Sequence, residues 1–230
     1  MKQWIKRRCL GAGARPMRIL SGPGAGMWMR LDPSCQTQRY LGLDERELAA
    51  WQKRWVPKVR SCIDVGANDG YYTLAFLASG VERVIACEPG PVVESLIGNA
   101  RLNGWDLGDH LTVVRSLIGR GEGCVRLAKL LEGLPRPILV KVDVDGAEVD
   151  VLESASGAES LEDVYWIVET HSGDLERACI DWFVARGQHA RVVKNAWWRC
   201  LIPELRVATQ NRWLLSVGRN LVVGGFRRRT

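Results

Sequence analysis

The sequence predicts an α/β protein: a mostly parallel sheet covered by helices on both faces. Three observations carry this reading. From Ser61 onward, short apolar runs of strand length alternate with segments of helical length, the pattern of parallel strands joined by crossover helices. A glycine-bearing loop, Asp64-Val65-Gly66-Ala67-Asn68-Asp69-Gly70, stands where the first of those strands gives way to a helix. The last two apolar runs lack a helix between them, so one of the pair is expected to run antiparallel at the C-terminal end of the sheet.

In chain order, residues 1–21 read as a loose basic arm and residues 22–60 as a lead-in of one strand and one helix. Met-Trp-Met-Arg-Leu at 27–31 is the strand. Leu48, Trp51 and Trp55 recur at three- and four-residue spacing and predict a helix over 44–55, ended by Pro57. The main domain spans 61–226, and 227–230 is a basic tail. Its strands are expected at 61–65, 84–87, 111–117, 138–142, 164–168, 190–193 and 213–217. Helices are expected at 71–78, 91–102, 127–134, 147–155 and 175–186; Pro91 suits an early helical position and Gly104 lies just past an end.

Composition narrows the class. The chain has 230 residues, 47% hydrophobic and 25% charged, the balance of one ordinary globular domain with a short appendage. No stretch approaches the roughly 20 apolar residues of a bilayer span, and no long apolar run follows the basic N-terminus, so neither a membrane partner nor a cleaved secretory signal is expected. Seven scattered cysteines without a Cys-x-x-Cys pair read as reduced, mostly core residues of a cytoplasmic protein. The net charge of +6 sits partly in the two tails, which read as solvated ends.

The glycine loop carries the first chemical signal. Only Gly66 and Gly70 are present, so it is not the Gly-x-Gly-x-x-Gly turn of a pyrophosphate site. It opens with an acid, Asp64, which suits a cofactor bearing an amino group and a sulfonium. Glu88, at the end of the next strand and about two dozen residues on, can accept hydrogen bonds from two ribose hydroxyls, near the ~20-residue spacing of nucleoside sites. Read separately, these acids are a capping Asp and a helix-start Glu; read together, they are a nucleoside-cofactor site.

A second acidic cluster, Lys141-Val142-Asp143-Val144-Asp145-Gly146-Ala147-Glu148, ends the fourth strand. It is not a calcium loop, because Lys141 and Leu152 stand where the first and twelfth ligands belong. Alternation puts Lys141 and Asp143 on one side of the strand, where they either neutralise each other or serve catalysis. Glu169 and His171 end the fifth strand at the same edge; His110 and His189 read as surface residues.

These motifs, with Tyr71-Tyr72-Thr73, Glu88-Pro89, Asn99, Asn103 and the lead-in Tyr40-Leu41-Gly42-Leu43-Asp44-Glu45, resemble the FkbM-type methyltransferases over most of the chain from about Gly22. Asp44 stands where that family usually has an aromatic, and Asp145 where it often has Glu. The resemblance implies a class I methyltransferase (Rossmann-like) three-layer sandwich, S-adenosylmethionine as cofactor, and an oxygen acceptor on a sugar, glycan or natural product. It implies that Asp64, Gly66, Ala67, Asn68, Gly70 and Thr73 hold the methionine part, Glu88 and Pro89 the ribose, Arg115 and Ser116 the adenine, with Asp143 near the methyl. Asp143 and His171 are the expected bases, with Lys141 and Glu169 orienting them. A divalent metal on Asp143 and nearby carboxylates is a minor alternative, and no metal is expected. The rivals are a nicotinamide-dependent oxidoreductase, disfavoured by the missing third glycine; an RNA methyltransferase, disfavoured because no Asn-Pro-Pro-Tyr-type motif is present; and a catalytically silent scaffold of the same fold. The expected partner is a small-molecule or glycan acceptor, not a nucleic acid.

Overall fold

The computed structural model describes residue 8, residues 11–193 and residues 212–221. Strands β1 (Arg15–Arg18) and β2 (Trp28–Leu31) pair antiparallel as a separate two-stranded sheet. Helices α1 (Thr37–Leu41) and α2 (Ala49–Trp55) follow, with a 3-10 turn at Arg46–Leu48 between them and another at Val56–Lys58. The main domain then runs β3 (Ser61–Val65), α3 (Tyr71–Ala78), β4 (Arg83–Cys87), α4 (Val93–Leu102), β5 (Leu111–Val114), α5 (Leu127–Leu131), β6 (Ile138–Val142), α6 (Glu148–Ser154), β7 (Val164–Thr170), α7 (Gly173–Val184), β8 (Ala190–Val193) and β9 (Arg212–Val217).

The seven main strands lie in the order β5-β4-β3-β6-β7-β9-β8. All pairs are parallel except those made by β9, which runs antiparallel to both β7 and β8. The expected antiparallel strand at the C-terminal end is therefore β9. After β3 the chain moves outward to β4 and β5, then returns to lay β6 on the other side of β3. That reversal makes a crevice at the carboxyl ends of the strands, where open α/β sheets bind ligands.

Strand alternation divides the core in two. Ile63, Val65, Ile138, Val140 and Val142 face the layer of α5, α6 and α7, with Trp166, Trp182 and Phe183 packed edge to face. Cys62, Val84, Ala86 and Leu139 face α3, α4 and the lead-in, including Met29, Leu31, Leu48 and Trp55. Apolar side chains on both sides explain why the central strands read as continuous runs instead of alternating ones.

Three local expectations are corrected, and one helix is added. The arm expected over 1–21 is not loose throughout, because Arg15–Arg18 forms β1; a basic four-residue strand containing Pro16 has little strand signature until its partner is present. The strand expected to reach Leu117 ends at Val114, and the chain turns so that Ile118 bridges Val125. The helix expected from Asp44 begins with a turn instead, with Glu45 at φ 46°. Helix α1 was not foreseen; it is five residues long and ends on Gly42 in the left-handed region. The expected tail at 227–230 and part of the arm lie outside the described residues.

Candidate active site

Gly66 and Gly70 are both left-handed, at φ 79° and 91°. Gly66 is also crowded: a Cβ there would stand 1.8 Å from the Asp143 carbonyl oxygen. Its amide and that of Ala67 donate to the Cys87 carbonyl at 2.9 and 3.0 Å, and the Asp143 amide donates to Val65 at 2.9 Å. The loop after β3 is thereby stitched to the ends of β4 and β6. Asn68 takes φ 50°, a conformation asparagine tolerates better than most residues, and its amide donates to Glu88 Oε2 at 3.0 Å. The Gly90 amide donates to Glu88 Oε1 at 2.8 Å. Glu88 is thus held at the rim by two backbone donors.

Behind the loop lies a buried charge relay. Asp64 and Lys141 are cross-strand partners, at 0% and 2% exposure, so each charge needs the other. Lys141 Nζ lies 3.0 Å from Asp143 Oδ2 and 3.6 Å from Asp64 Oδ1, and 4.7 Å from the centre of the Tyr72 ring. Thr73 Oγ1 donates to Asp64 Oδ2 at 2.7 Å. Burial works against the Lys141 charge, but Asp143, Asp64 and Glu45 outweigh it and hold its pKa above the ordinary lysine value. Burial likewise opposes the Asp143 charge, yet Lys141 wins and its pKa is lowered. Glu169 goes the other way: burial, then its hydrogen bond and repulsion with Asp143, push it up to about 9. It is therefore a neutral acid at pH 7.

His171 is engaged at both nitrogens. Nδ1 donates to Glu148 Oε1 at 2.5 Å, and Nε2 lies 3.3 Å from Asp145 Oδ1. The hydrogen bond to Glu148 raises its pKa against the opposing effect of burial, which favours the imidazolium. Asp143, Glu169 and His171 bring donor atoms within 4.8 Å of one another, a spacing a small cation could bridge. Lys141 already sits on Asp143, and two carboxylates already hold His171, so the group reads as a self-neutralised cluster.

A cavity of about 420 Å³ opens over these elements. Of the residues expected from sequence, Gly66, Ala67, Asn68, Glu88, Pro89, Ser116, Lys141 and Asp143 line it. Asp64, Gly70 and Thr73 support it from behind. Glu169 and His171 lie beyond Asp143 and do not line it. Arg115 turns away and pairs with Glu94 on the surface. Arg39, Glu45, Asp69, Tyr71 and Tyr72 complete the wall. Asp69 belongs to the loop expected to hold the cofactor; Glu45, Tyr71 and Tyr72 stood in the motifs of the resemblance without a role of their own; Arg39 was missed outright. Arg39 reaches from α1 to Asp44 at 3.0 Å and Asp69 at 2.6 Å, over the Tyr71 ring at 5.1 Å. The acids at 44, 45 and 69 were visible in the sequence, but nothing in their spacing ties the lead-in to the glycine loop. Glu148 stood inside a recognised motif without its pairing to His171 being foreseen.

No family model matches this sequence, and no curated protein matches it. Solved structures do match in fold. A ribosomal protein L11 methylase from Lactobacillus delbrueckii subsp. bulgaricus superposes with a TM-score of 0.53 at 12% identity, covering 75% of this chain and 76% of its own. A precorrin-6y C5,15-methyltransferase from Geobacter metallireducens GS-15 gives 0.51 at 10% identity, covering 75% and 86%. TYW2 from P. horikoshii, solved in complex with MeSAdo, gives 0.51 at 14% identity, covering 83% and 67%. The chain has the class I methyltransferase fold expected from its sequence. Among the described residues no helix is long and apolar enough to cross a membrane.

Proposed function

We propose that this protein is an S-adenosylmethionine-dependent methyltransferase acting on a hydroxyl of a sugar, glycan or natural product. The observation that carries the proposal is Glu88, a carboxylate fixed by two backbone amides at the rim of a glycine loop, beside a cavity at the carboxyl edge of this fold. Each Glu88 oxygen retains acceptor capacity, which fits a ribose diol. Gly66, Ala67 and Asn68 would hold the methionine part with Asp64, Gly70 and Thr73 behind them, and Ser116, Leu117 and Ile118 would face the adenine. The MeSAdo complex of TYW2 supports this cofactor class. The resemblance to FkbM-type enzymes favours an oxygen acceptor.

When bound, the cofactor supplies a methyl group on a sulfonium, an electrophile with a good leaving group. The protein's part is to align the acceptor oxygen with it and exclude water, an effect of about 7–11 kcal/mol in well-oriented systems. Asp143, charged and at the cavity wall, would orient the acceptor hydroxyl. Lys141 keeps Asp143 and Asp64 from repelling each other, and Glu169 as a neutral acid can donate to Asp143. His171, held by two carboxylates, would fix the turn that presents Asp145.

A nucleic-acid acceptor is the second reading, favoured by one feature: Arg18, Trp28 and Arg30 share the exposed face of β1–β2. Calorimetry with S-adenosylhomocysteine tests the cofactor assignment. Wild-type protein is expected to bind it and not NAD, and Glu88→Ala to lose about 1.5–3 kcal/mol of binding with a smaller loss of melting temperature. A folded protein that ignores S-adenosylhomocysteine would sink the proposal. Labelled methyl transfer to glycan and RNA pools then separates the acceptors.

A further inference from the structure

We propose that Glu45 takes the proton from the acceptor hydroxyl, its carboxylate delivered into the cavity by a clamped left-handed turn. The inference rests on the methyltransferase reading above.

The turn is over-determined. Glu45 holds φ 46°, a strained conformation for a residue with a long side chain, of the kind that persists where surrounding structure imposes it and clusters at functional sites. The segment leading into the turn is clamped at several points. Upstream, Leu20 N donates to Tyr40 O at 3.0 Å and Ser21 Oγ to Leu41 O at 2.5 Å. Gly42 passes so close to Ser21 that a Cβ would stand 1.8 Å from its carbonyl oxygen. Closer to Glu45, Arg39 ties Asp44 to Asp69 of the glycine loop. The segment leading into Glu45 is thus fastened to β2's approach and to the loop at once, and the Leu48 amide closes the turn on the Glu45 carbonyl at 2.9 Å.

Its side chain lines the cavity. Its Oε2 is buried and makes no hydrogen bond of ordinary geometry among the described residues, although the Tyr72 hydroxyl stands near enough to favour its charged form. Leaving a carboxylate oxygen so is costly, and the cost is explained if a proton donor arrives with the substrate. The other candidates are committed elsewhere: Asp143 to Lys141, and both nitrogens of His171 to Glu148 and Asp145. The groups facing Glu45 are Asp44 beside it, Arg39 on α1, Tyr71 and Tyr72 on α3, Lys141 and Asp143 at the end of β6, and Glu169 on β7. Burial, the attraction of Lys141 and the repulsion of Asp143 and Asp44 bring its pKa up to about 7, close to ideal for a general base at neutral pH. In the step, the acceptor O–H bond breaks and its proton passes to Glu45. The oxygen pair forms the bond to the methyl carbon while the carbon–sulfur pair stays on sulfur, leaving a neutral thioether, a methyl ether and a neutral Glu45 acid.

The probe is sinefungin, a cofactor analogue with an ammonium-bearing carbon where the methyl sulfonium stands, compared with S-adenosylhomocysteine, which lacks that group. Calorimetry on the full chain at pH 6 and pH 8 is expected to show sinefungin preferred by about tenfold or more at pH 8, and less at pH 6 where Glu45 is protonated. Glu45→Gln should keep S-adenosylhomocysteine affinity and lose both the preference and its pH dependence. Asp143→Asn should keep the preference, with its rise moved to lower pH because a repelling charge is gone. A Glu45→Gln protein that binds S-adenosylhomocysteine and still prefers sinefungin at pH 8 overturns the assignment, as does loss of the preference in Asp143→Asn alone. If wild-type protein binds neither compound, the cofactor reading fails first and takes this one with it. Melting temperatures of Glu45→Gln and Glu45→Asp separate a folding defect from a lost contact.

Discussion

Lys141 shows how one side chain sets the character of the site. It is a buried ammonium placed by strand register opposite Asp64 and two residues before Asp143. Breaking such a group by removing one partner typically costs about 3–5 kcal/mol, because the partners remain buried and charged. Lys141→Met fits the space and leaves Asp64 and Asp143 facing each other, so a loss of that size is expected in urea unfolding at pH 7.5. The sign of the pH effect follows from the carboxylates. Burial already holds Asp64 above its ordinary value, and without Lys141 it rises further while Asp143 loses the charge that keeps it low, so the mutant is relatively most stable at low pH and loses ground as pH rises. Repeating the titration at pH 5 should therefore recover part of the loss; an equal deficit at both pH values would mean that Lys141 acts through packing.

At the scale of elements, Asn99 on α4 joins pieces that are far apart in sequence. Its Oδ1 accepts from the Arg30 amide of β2 at 2.9 Å, and its Nδ2 donates to the Asp69 carbonyl of the glycine loop at 2.9 Å. Asn103, one turn later, serves the Trp28 amide and carbonyl in the same way. A short strand with an open edge thus finds its hydrogen bonds on a helix, which is how the basic lead-in becomes ordered structure. Asn99 is fully buried, so Asn99→Ala leaves an amide and a carbonyl without partners, at about 1–3 kcal/mol. S-adenosylhomocysteine affinity should fall with it, because Asp69 loses an anchor. Intact affinity in a destabilised Asn99→Ala protein would show that the hairpin and the loop are energetically independent. The element pattern of the main domain was legible because each buried strand and helix carries its own apolar run. The lead-in was not: β1, α1 and the Glu45 turn are held by contacts with α4 and the glycine loop.

Across the molecule, two acids hold protons that free glutamates would have released: Glu45 at about 7 and Glu169 at about 9. Their folded pKa values lie above the unfolded value of roughly 4.3. The stability each contributes is full below that value and is lost as pH rises through the folded one. Melting temperature should therefore decline between pH 5.5 and pH 9, with Glu169 responsible for the alkaline part of the fall. Glu169→Gln, which cannot ionise, should flatten the curve above pH 7.5. An unchanged slope would show that Glu169 is not held as a neutral acid.

The sequence by itself determined the layers, the parallel core and the edge of the sheet where the site would lie. Those follow from burial and periodicity, which are local properties of the chain. It also named Gly66, Asn68, Glu88, Lys141 and Asp143 as cavity residues, because strand ends and left-handed positions mark themselves in residue type. Only the tertiary structure decided the charge states and the far wall. It alone shows Arg115 turned to Glu94, His171 held by Glu148 and Asp145, and Glu45 and Arg39 brought over the loop from the lead-in. A pKa, an ion pair and a cavity wall depend on which charges and surfaces meet in space, and that depends on contacts between segments tens of residues apart.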